Sequence, residues 1–237
     1  NKDPYTSERA DVDCSLDYLR KRFPNSKFNL NSILLDQKDY FENLERLTWF
    51  YDEPVQYPLT PQLMVLSERS RELGIKVLLA GEGADEILYG YDRFVRTARN
   101  IKIDSDSNES LLKHLYFGGG MHSIDLVQTL TENVSEGVKE TESWKWLEKY
   151  LGTWDFDILQ LIFSQRFRLQ TLLQRLDRAG MSASVEVRVP FLTPWFVNWV
   201  NGLPIDSKRN LENETTKCIL RKVMSKRLPE RILTKKK

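Results

Sequence analysis

The chain has 237 residues, 41% of them hydrophobic and 29% charged, which is enough for one large domain or a domain with an attached lobe. Thirty-five lysines and arginines against 34 acids leave a net charge of +1, so no global field favours nucleic acid or an anionic membrane. Two histidines, His114 and His122, exclude a histidine-rich metal centre and argue against a histidine-activated nucleophile, while Cys14 and Cys218 lie far apart without metal spacing.

No secretory signal and no run of about 18 apolar residues is present, and the expected compartment is a reducing cytoplasm. Helical spacing is expected from about Ser7 to Phe23. KFNLNSILL alternates polar and apolar residues from Lys27 to Ile33, as a strand would, and helical spacing resumes through Tyr40, Leu44 and Leu47 until Asp52-Glu53-Pro54 ends it. Thr60-Pro61 reads as a cap followed by proline at the first helical position, with Leu63, Leu66 and Leu73 on one face and Gly74 as the stop. Every residue of IKVLLA (75–80) except Lys76 is apolar, which predicts a short strand buried on both faces, as in a parallel sheet. KIDSDSNES then reads as a polar loop, and the glycines 118–120 as a joint rather than a phosphate loop, since no buried strand precedes them. A long helix is predicted from about Asp155 to Arg178, carrying Leu159, Ile162, Phe163, Leu169, Leu172, Leu173 and Leu176 inward. Thr193-Pro194 repeats the cap-plus-proline start, and TTKCILRKVMSKR predicts a last helix with Ile219, Leu220 and Val223 inward. The second half therefore reads as almost entirely helical.

The predicted strand runs directly into Ala80-Gly81-Glu82-Gly83-Ala84-Asp85-Glu86. In open α/β sheets this carboxyl end of a strand is where ligands bind. Glycines there let backbone approach a bound group, and a helix beginning near Ala84 would favour phosphate at its N-terminus. Acids repel phosphate unless a cation intervenes. Glu82 and Asp85, three residues apart, therefore suit a magnesium shared between one carboxylate and substrate phosphates, with the other carboxylate as a base. The plainer alternative is that Glu82, Asp85 and Glu86 only complement the dipole of a helix start.

The same residues resemble a family. Gly81-Glu82-Gly83-Ala84-Asp85-Glu86 is similar to the G-E-G-A-D-E signature of asparagine synthetases of the glutamine-hydrolysing type, in their C-terminal ATP-dependent synthetase domain. Asp177-Arg178-Ala179-Gly180-Met181 through Leu192 resembles the family's D-R-x-S-M-x-x-S-x-E-V-R-V-P-F-L-D block. Asp52-Glu53-Pro54, Lys217 with Leu220-Arg221, and Leu228-Pro229 through Ile232 match further landmarks in family order. The resemblance implies an α/β fold: an ATP-pyrophosphatase (adenine nucleotide alpha-hydrolase-like) parallel-sheet core, incomplete at its N-terminus, followed by a mainly helical lobe. Residues 1–99 would be the later part of the nucleotide-binding core and 100–237 the lobe that completes the site.

The implied activity is that of an AMP-forming carbon–nitrogen ligase, which adenylates a carboxylate with ATP and Mg2+ and amidates it with ammonia. Aspartate is the favoured acceptor, and a glutaminase domain absent from these residues would supply the ammonia. By the same resemblance Glu82 assists ammonia attack, Asp85 helps hold magnesium pyrophosphate, and Ala80, Gly81 and Gly83 contact ATP. Lys237 falls on the lysine that binds the phosphates in the transition state, the alternative being a solvated lysine tail. Arg178, Glu186 and Arg188 are expected to form a buried polar scaffold beneath the site, each needing the others.

Departures from the family pattern matter too. No S-G-G-x-D-S phosphate loop occurs in the chain, and Cys14 sits inside helical sequence rather than at a glutaminase start. The chain is accordingly expected to be part of a longer protein and inactive by itself, the alternative being a degenerate synthetase. Leu88-Tyr89-Gly90-Tyr91 replaces F-G-G-Y, so Tyr89 either reshapes the acceptor pocket or serves the core. Thr193 stands in place of an aspartate and reads as a helix cap. Relatives amidating other carboxylates, such as sugar acids of surface polysaccharides, share the same landmarks. A non-catalytic partner protein that binds through Trp144, Trp146, Trp195 and Trp199 is a reading of another class. A nucleic-acid-modifying enzyme is disfavoured by the balanced charge and the lack of a basic aromatic stripe.

Overall fold

The computed structural model describes residues 8–55, 57–104, 107–118 and 137–235. It is a mainly helical protein with a small parallel sheet. Helix α1 spans Arg9–Arg22 and buries no residue. Residues 27–36 form neither helix nor strand, so the alternation in KFNLNSILL is not a strand. Alternation describes a face, and without a neighbouring backbone there is no sheet for that face to belong to. Helix α2, Gln37–Tyr51, starts at a reciprocal capping box: Asp36 accepts from the Asp39 amide at 2.7 Å, and Asp39 accepts from the Asp36 amide at 3.4 Å. It ends where Asp52 turns left-handed at φ 59°.

Helix α3, Thr60–Glu72, has proline in its first turn and stops at Gly74, whose φ of +77° suits glycine. Its inward face differs from the leucine stripe. Thr60, Met64, Ser67 and Ser70 are buried, while Leu66 and Leu73 are exposed. The serines tolerate burial because each hydroxyl donates to the carbonyl four residues earlier, Ser67 to Leu63 and Ser70 to Leu66, both at 2.8 Å. Small side chains on this face allow close approach to the helix Leu169–Met181, which packs against both α3 and α2. Leu47, Tyr51, Met64 and Ala179 form the core between them.

Strand β1, Val77–Leu79, pairs in parallel with β2, Glu186–Arg188, in the register Val77 to Glu186 and Leu79 to Arg188. The predicted strand exists, but not its double burial: Val77 is 38% and Leu79 74% exposed. The sheet has two strands among the described residues, so β1 lacks the layers that cover a parallel sheet on both faces. β2 is a three-residue strand within the second half, which reads as almost entirely helical.

Helix α4, Ala84–Leu88, follows the turn, and a helix at Asp92–Asp104 extends into the segment expected to be a loop. Ser107 caps the next helix, Asn108–Lys113, so KIDSDSNES is helical at both ends. Glycines 119 and 120 lie outside the described residues. The predicted long helix runs from Phe156 to Met181 with a π-helical turn, Ser164–Arg168, inserted in it. Gln165 in that turn exchanges two hydrogen bonds with Asn201, at 3.0 and 3.1 Å, and donates to the Glu86 carbonyl at 3.2 Å. These contacts give the side chains of the extra residue a destination, which is how a π turn is commonly held. Leu112, Leu115, Trp144, Leu147, Leu159 and Phe163 form a separate hydrophobic core, with Trp146 packed against it.

Pro194–Asn201 and Cys218–Met224 are further helices. Thr193 occupies the expected cap position, but its hydroxyl bonds the Pro190 carbonyl at 3.3 Å instead of the helix amides. Ile219 and Leu220 pack inward around Ile87, Leu88 and Val200, whereas Val223 is exposed. Trp144 and Trp146 belong to that hydrophobic core, and Trp195 and Trp199 are exposed. Among the described residues no helix is long and apolar enough to cross a membrane.

Candidate active site

At the carboxyl end of β1 the Ala80 amide continues the ladder by donating to the Arg188 carbonyl at 2.8 Å. The chain then turns through Gly81, Glu82 and Gly83 into α4. Space is open around the Gly81 Cα, so backbone is accessible there. Gly83 is different: φ is +87°, and a Cβ would overlap the Leu192 side chain. Only glycine meets both demands.

This turn distributes its three acids into three environments. Glu82 meets Arg175 of the Leu169–Met181 helix, with Oε2 to Nη2 at 3.3 Å and both side chains mostly covered, 22% and 13% exposed. Asp85 meets Lys217 at the start of the Cys218–Met224 helix, Oδ1 to Nζ 2.7 Å. Glu86 is buried and accepts a short hydrogen bond from the Tyr91 hydroxyl. Burial, then the charge of Glu86, pushes the Tyr91 pKa up, so the phenol stays a donor. The three acids are therefore not a helix-start cluster facing water: Glu82 and Asp85 each meet a partner brought from a distant part of the chain, and Glu86 one five residues on.

Lys217 holds φ 53°, a left-handed conformation that costs a non-glycine residue about 1–2 kcal/mol. Its neighbours fix it. Arg221, one helical turn on, donates to the Thr216 carbonyl at 2.7 Å and to the Lys235 carbonyl at 2.9 Å. The K-x-x-L-R landmark thus has a physical content, with the lysine reaching Asp85 and the arginine tying that lysine's turn to the C-terminal segment. Lys235 is pinned in turn to Asp11 of α1, at 2.6 Å, beside Arg231 at 2.8 Å. Hydrogen bonds from Lys235 and Arg231 hold the Asp11 carboxyl below its ordinary range. Lys237 lies outside the described residues.

Gly90 explains a further glycine of the motif. A Cβ there would overlap both Asp85 Oδ1 and the Lys217 side chain. Gly90→Ala is expected to break this ion pair and lower stability by about 1–3 kcal/mol in chemical denaturation. A loss under about 0.5 kcal/mol, the range of ordinary surface changes, would mean that the pair tolerates the methyl group.

Tyr89 belongs to the core and not to the turn's open side. It is fully buried among Phe94, Val95 and Leu161, with φ 57° at a position where a glycine would be unstrained. Its hydroxyl lies 2.7 Å from Asp157 Oδ1 and 2.5 Å from Gln160 Oε1. Asp157 also receives a short hydrogen bond from Arg209, which reaches Asp206 at 2.7 Å. Burial and then the Asp157 charge push the phenol well above its ordinary pKa.

The expected scaffold of Arg178, Glu186 and Arg188 separates into two exposed contacts. Glu186 and Arg188, two apart on β2, share one face and pair with each other at 2.9 and 3.1 Å. Arg178 instead holds the end of α2, donating to the Phe50 carbonyl at 3.2 Å and lying 3.6 Å from Asp52. The strand's alternation turns the first pair outward, and a side chain on the preceding helix cannot reach it. Arg175 is the residue that sequence reasoning missed. Its signal was present: Arg168 and Arg175 stand seven apart, two turns, and from Leu169 to Gly180 the buried positions beside them are Leu169, Leu172, Leu176, Ala179 and Gly180.

Both arginines approach an aromatic wall. Arg168 lies 4.5 Å from the Tyr91 ring centroid and Arg175 5.1 Å from that of Tyr57. Burial raises the Tyr57 pKa, opposed by the charges of Arg168 and Arg175 and reinforced by Glu86 and Glu82.

No group of three or more candidate metal ligands occurs among the described residues. Asp85 fits a magnesium ion nonetheless, because that cation commonly takes one or two carboxylates and completes its shell with water and substrate phosphates. Asp85 is partly exposed, and a magnesium ion bound there would have to share or displace its contact with Lys217.

The sequence pattern of the asparagine synthase family matches residues 17–237. Among curated relatives, "Asparagine synthetase [glutamine-hydrolyzing] 3" of Bacillus subtilis (strain 168) is 29% identical over 217 residues, 86% of this chain and 32% of that protein. "Asparagine synthetase [glutamine-hydrolyzing] 1" of the same strain is 26% identical over 235 residues, 87% of this chain and 37% of that protein. The chain thus spans about a third of the length of the curated relatives it matches. With a match over nearly its whole length, and with the family's G-E-G-A-D-E turn built as described, the chain belongs to the asparagine synthase family.

Proposed function

We propose that this chain carries the later part of an ATP-pyrophosphatase-type core, residues 1–99, and the helical lobe, residues 100–237, of an ATP-dependent amide ligase. The ligase adenylates a carboxylate and transfers it to ammonia, and aspartate is the acceptor that the relatives' names favour. One observation carries the reading: a single turn separates a mostly covered Glu82 held by Arg175 from an Asp85 held by Lys217.

In the first step a carboxylate oxygen of the acceptor bonds to the α-phosphorus of ATP, and the bond to pyrophosphate breaks. Magnesium, when bound, would neutralise the departing pyrophosphate, with Asp85 as its protein ligand. Lys217 beside Asp85 adds a point charge on that side, and Lys237 is proposed to supply another. The accessible backbone of Ala80 and Gly81 approaches the nucleotide, while Gly83 shapes the turn.

In the second step ammonia bonds to the acyl carbon and AMP leaves. Glu82 takes the proton that the nitrogen must lose. The ammonia source, a glutaminase domain, and the β,γ-phosphate loop are not within these 237 residues.

The test is ATP–pyrophosphate exchange by the longest native protein containing this chain, with aspartate set against sugar acids and carboxylated peptides. Exchange with aspartate alone supports the full reading. Exchange with another acid replaces the acceptor, and silence with every carboxylate overturns the ligase reading in favour of a non-catalytic partner. Asp85→Asn is expected to raise the magnesium concentration needed for half-maximal exchange. An unchanged magnesium dependence would remove Asp85 from that role.

A further inference from the structure

Helix α1 buries no residue, so polar contacts carry much of its attachment. Three of its side chains reach one segment near the other end of the chain. Tyr18 and Arg22 donate to the Lys226 carbonyl, at 3.2 and 2.8 Å, and Asp11 takes Arg231 and Lys235, at 2.8 and 2.6 Å. Residues 226–235 are therefore gripped at both ends. Asp11 is the most enclosed member of its ion cluster, 16% exposed against 61% for Arg231 and 38% for Lys235. Ion pairs with exposed partners contribute little to stability, so what this contact chiefly fixes is position.

The segment so gripped lies beside the Lys217 turn. The Arg221 guanidinium donates to the Thr216 carbonyl through Nε at 2.7 Å, to the Lys235 carbonyl through Nη2 at 2.9 Å, and to the Leu233 carbonyl through Nη1. One rigid plane thus sets residues 233 and 235 next to the residue that precedes Lys217, the partner of Asp85. Lys237 is two residues past Lys235, so its Cα stays within about 7 Å of the Lys235 Cα whatever path the chain takes.

Resting on the ligase reading, we infer that Asp11 is a positioning residue for the phosphate side of the site: it holds the Lys235 side chain while Arg221 holds the Lys235 carbonyl, and the two together fix where the C-terminal lysines present their charge to the departing pyrophosphate. A segment held only by its carbonyls can swing about them. The second hold, on the side chain, removes that freedom before the reaction begins, and orientation settled in advance lowers the barrier without any contact to the acceptor.

Asp11→Asn keeps the shape of the side chain and withdraws the charge that both cations meet. In ATP–pyrophosphate exchange by the longest native protein containing this chain, with whichever carboxylate it activates, kcat is expected to fall about 10- to 100-fold while the KM for that carboxylate stays within about twofold. Asp11→Glu should recover most of the loss. Tyr18→Phe, which weakens the grip of α1 on Lys226 and leaves Asp11 in place, should keep the wild-type kcat. Amide hydrogen exchange in the C-terminal peptide should quicken in Asp11→Asn and not in Tyr18→Phe.

A role in merely attaching α1 would move the two variants alike. An unchanged kcat in Asp11→Asn, or equal losses in Asp11→Asn and Tyr18→Phe, overturns the inference and leaves the ligase reading intact. A wild-type protein silent with every carboxylate overturns both. Should Asp11→Asn fail to fold, Lys235→Gln cuts the same contact from the other side: a lowered kcat together with faster hydrogen exchange at the C-terminus supports the inference, and either change without the other overturns it.

Discussion

Glu82→Gln is expected to slow amide formation by about 10²- to 10⁴-fold, the usual contribution of a positioned general base. The substitution keeps the side chain's shape and an oxygen that accepts from Arg175, so the turn keeps its hydrogen bond although the charge beside Arg175 is lost. Adenylation needs no base of this kind, because a carboxylate is already the nucleophile. ATP–pyrophosphate exchange should therefore persist in the variant while product formation from added ammonia falls. That split identifies the step as well as the residue. Amide formation at the wild-type rate would remove Glu82 from the chemistry, and loss of exchange together with amide formation would make it a binding or structural group instead.

Asp157→Ala is expected to destabilise the protein by about 3–5 kcal/mol. Asp157 is the buried anion that answers Arg209, and it accepts the Tyr89 hydrogen as well. Its removal leaves Arg209 with Asp206, whose side chain is largely in water, and leaves the Tyr89 hydroxyl only Gln160 and the more distant Phe94 carbonyl at 3.4 Å. A buried cation stripped of its anion costs far more than the net worth of the pair, since the desolvation is no longer offset. Tyr89 adds a second cost, because its left-handed backbone is maintained by those contacts. Urea unfolding would show the shift, and a loss below about 1 kcal/mol would mean that Arg209 reaches solvent on its own. The failure should appear as global destabilisation without a selective effect on acceptor KM, which separates this network from the Glu82 site.

The position of the strand and turn that carry the candidate site was legible because it depends on local grammar. An apolar run ending in Gly-Glu-Gly marks a strand leading into a turn, and β1 with its turn stands where that reading places it. The exposure of β1 was not legible, since the same run is written whether or not further strands cover it. Lys27 to Ile33 failed for a related reason: alternation requires a partner strand, and sequence periodicity does not name one. The inward serines of α3 were invisible to a hydrophobicity pattern because their hydroxyls are satisfied within the helix.

The π turn at Ser164–Arg168 depends on Gln165 meeting Glu86 and Asn201, residues 79 and 36 positions away. Long-range partnership is likewise why Arg175 was passed over and why Glu186 and Arg188 were placed in the interior. Tyr89 shows the converse. Where the family motif has glycine this chain has tyrosine, and the left-handed φ explains the glycine, while only the buried Asp157 and Gln160 explain how tyrosine is accommodated.

The adenylation step itself can be followed by atom transfer. Aspartate labelled with 18O in its carboxylates would be incubated with ATP, magnesium and ammonia and the longest native protein containing this chain, and the AMP product weighed by mass spectrometry. If a carboxylate oxygen attacks the α-phosphorus, one 18O per turnover appears in AMP and the amide retains the other oxygen of that carboxylate. Amide formed with unlabelled AMP, or with label in inorganic phosphate, would contradict adenylation and with it the roles assigned to Glu82 and Asp85.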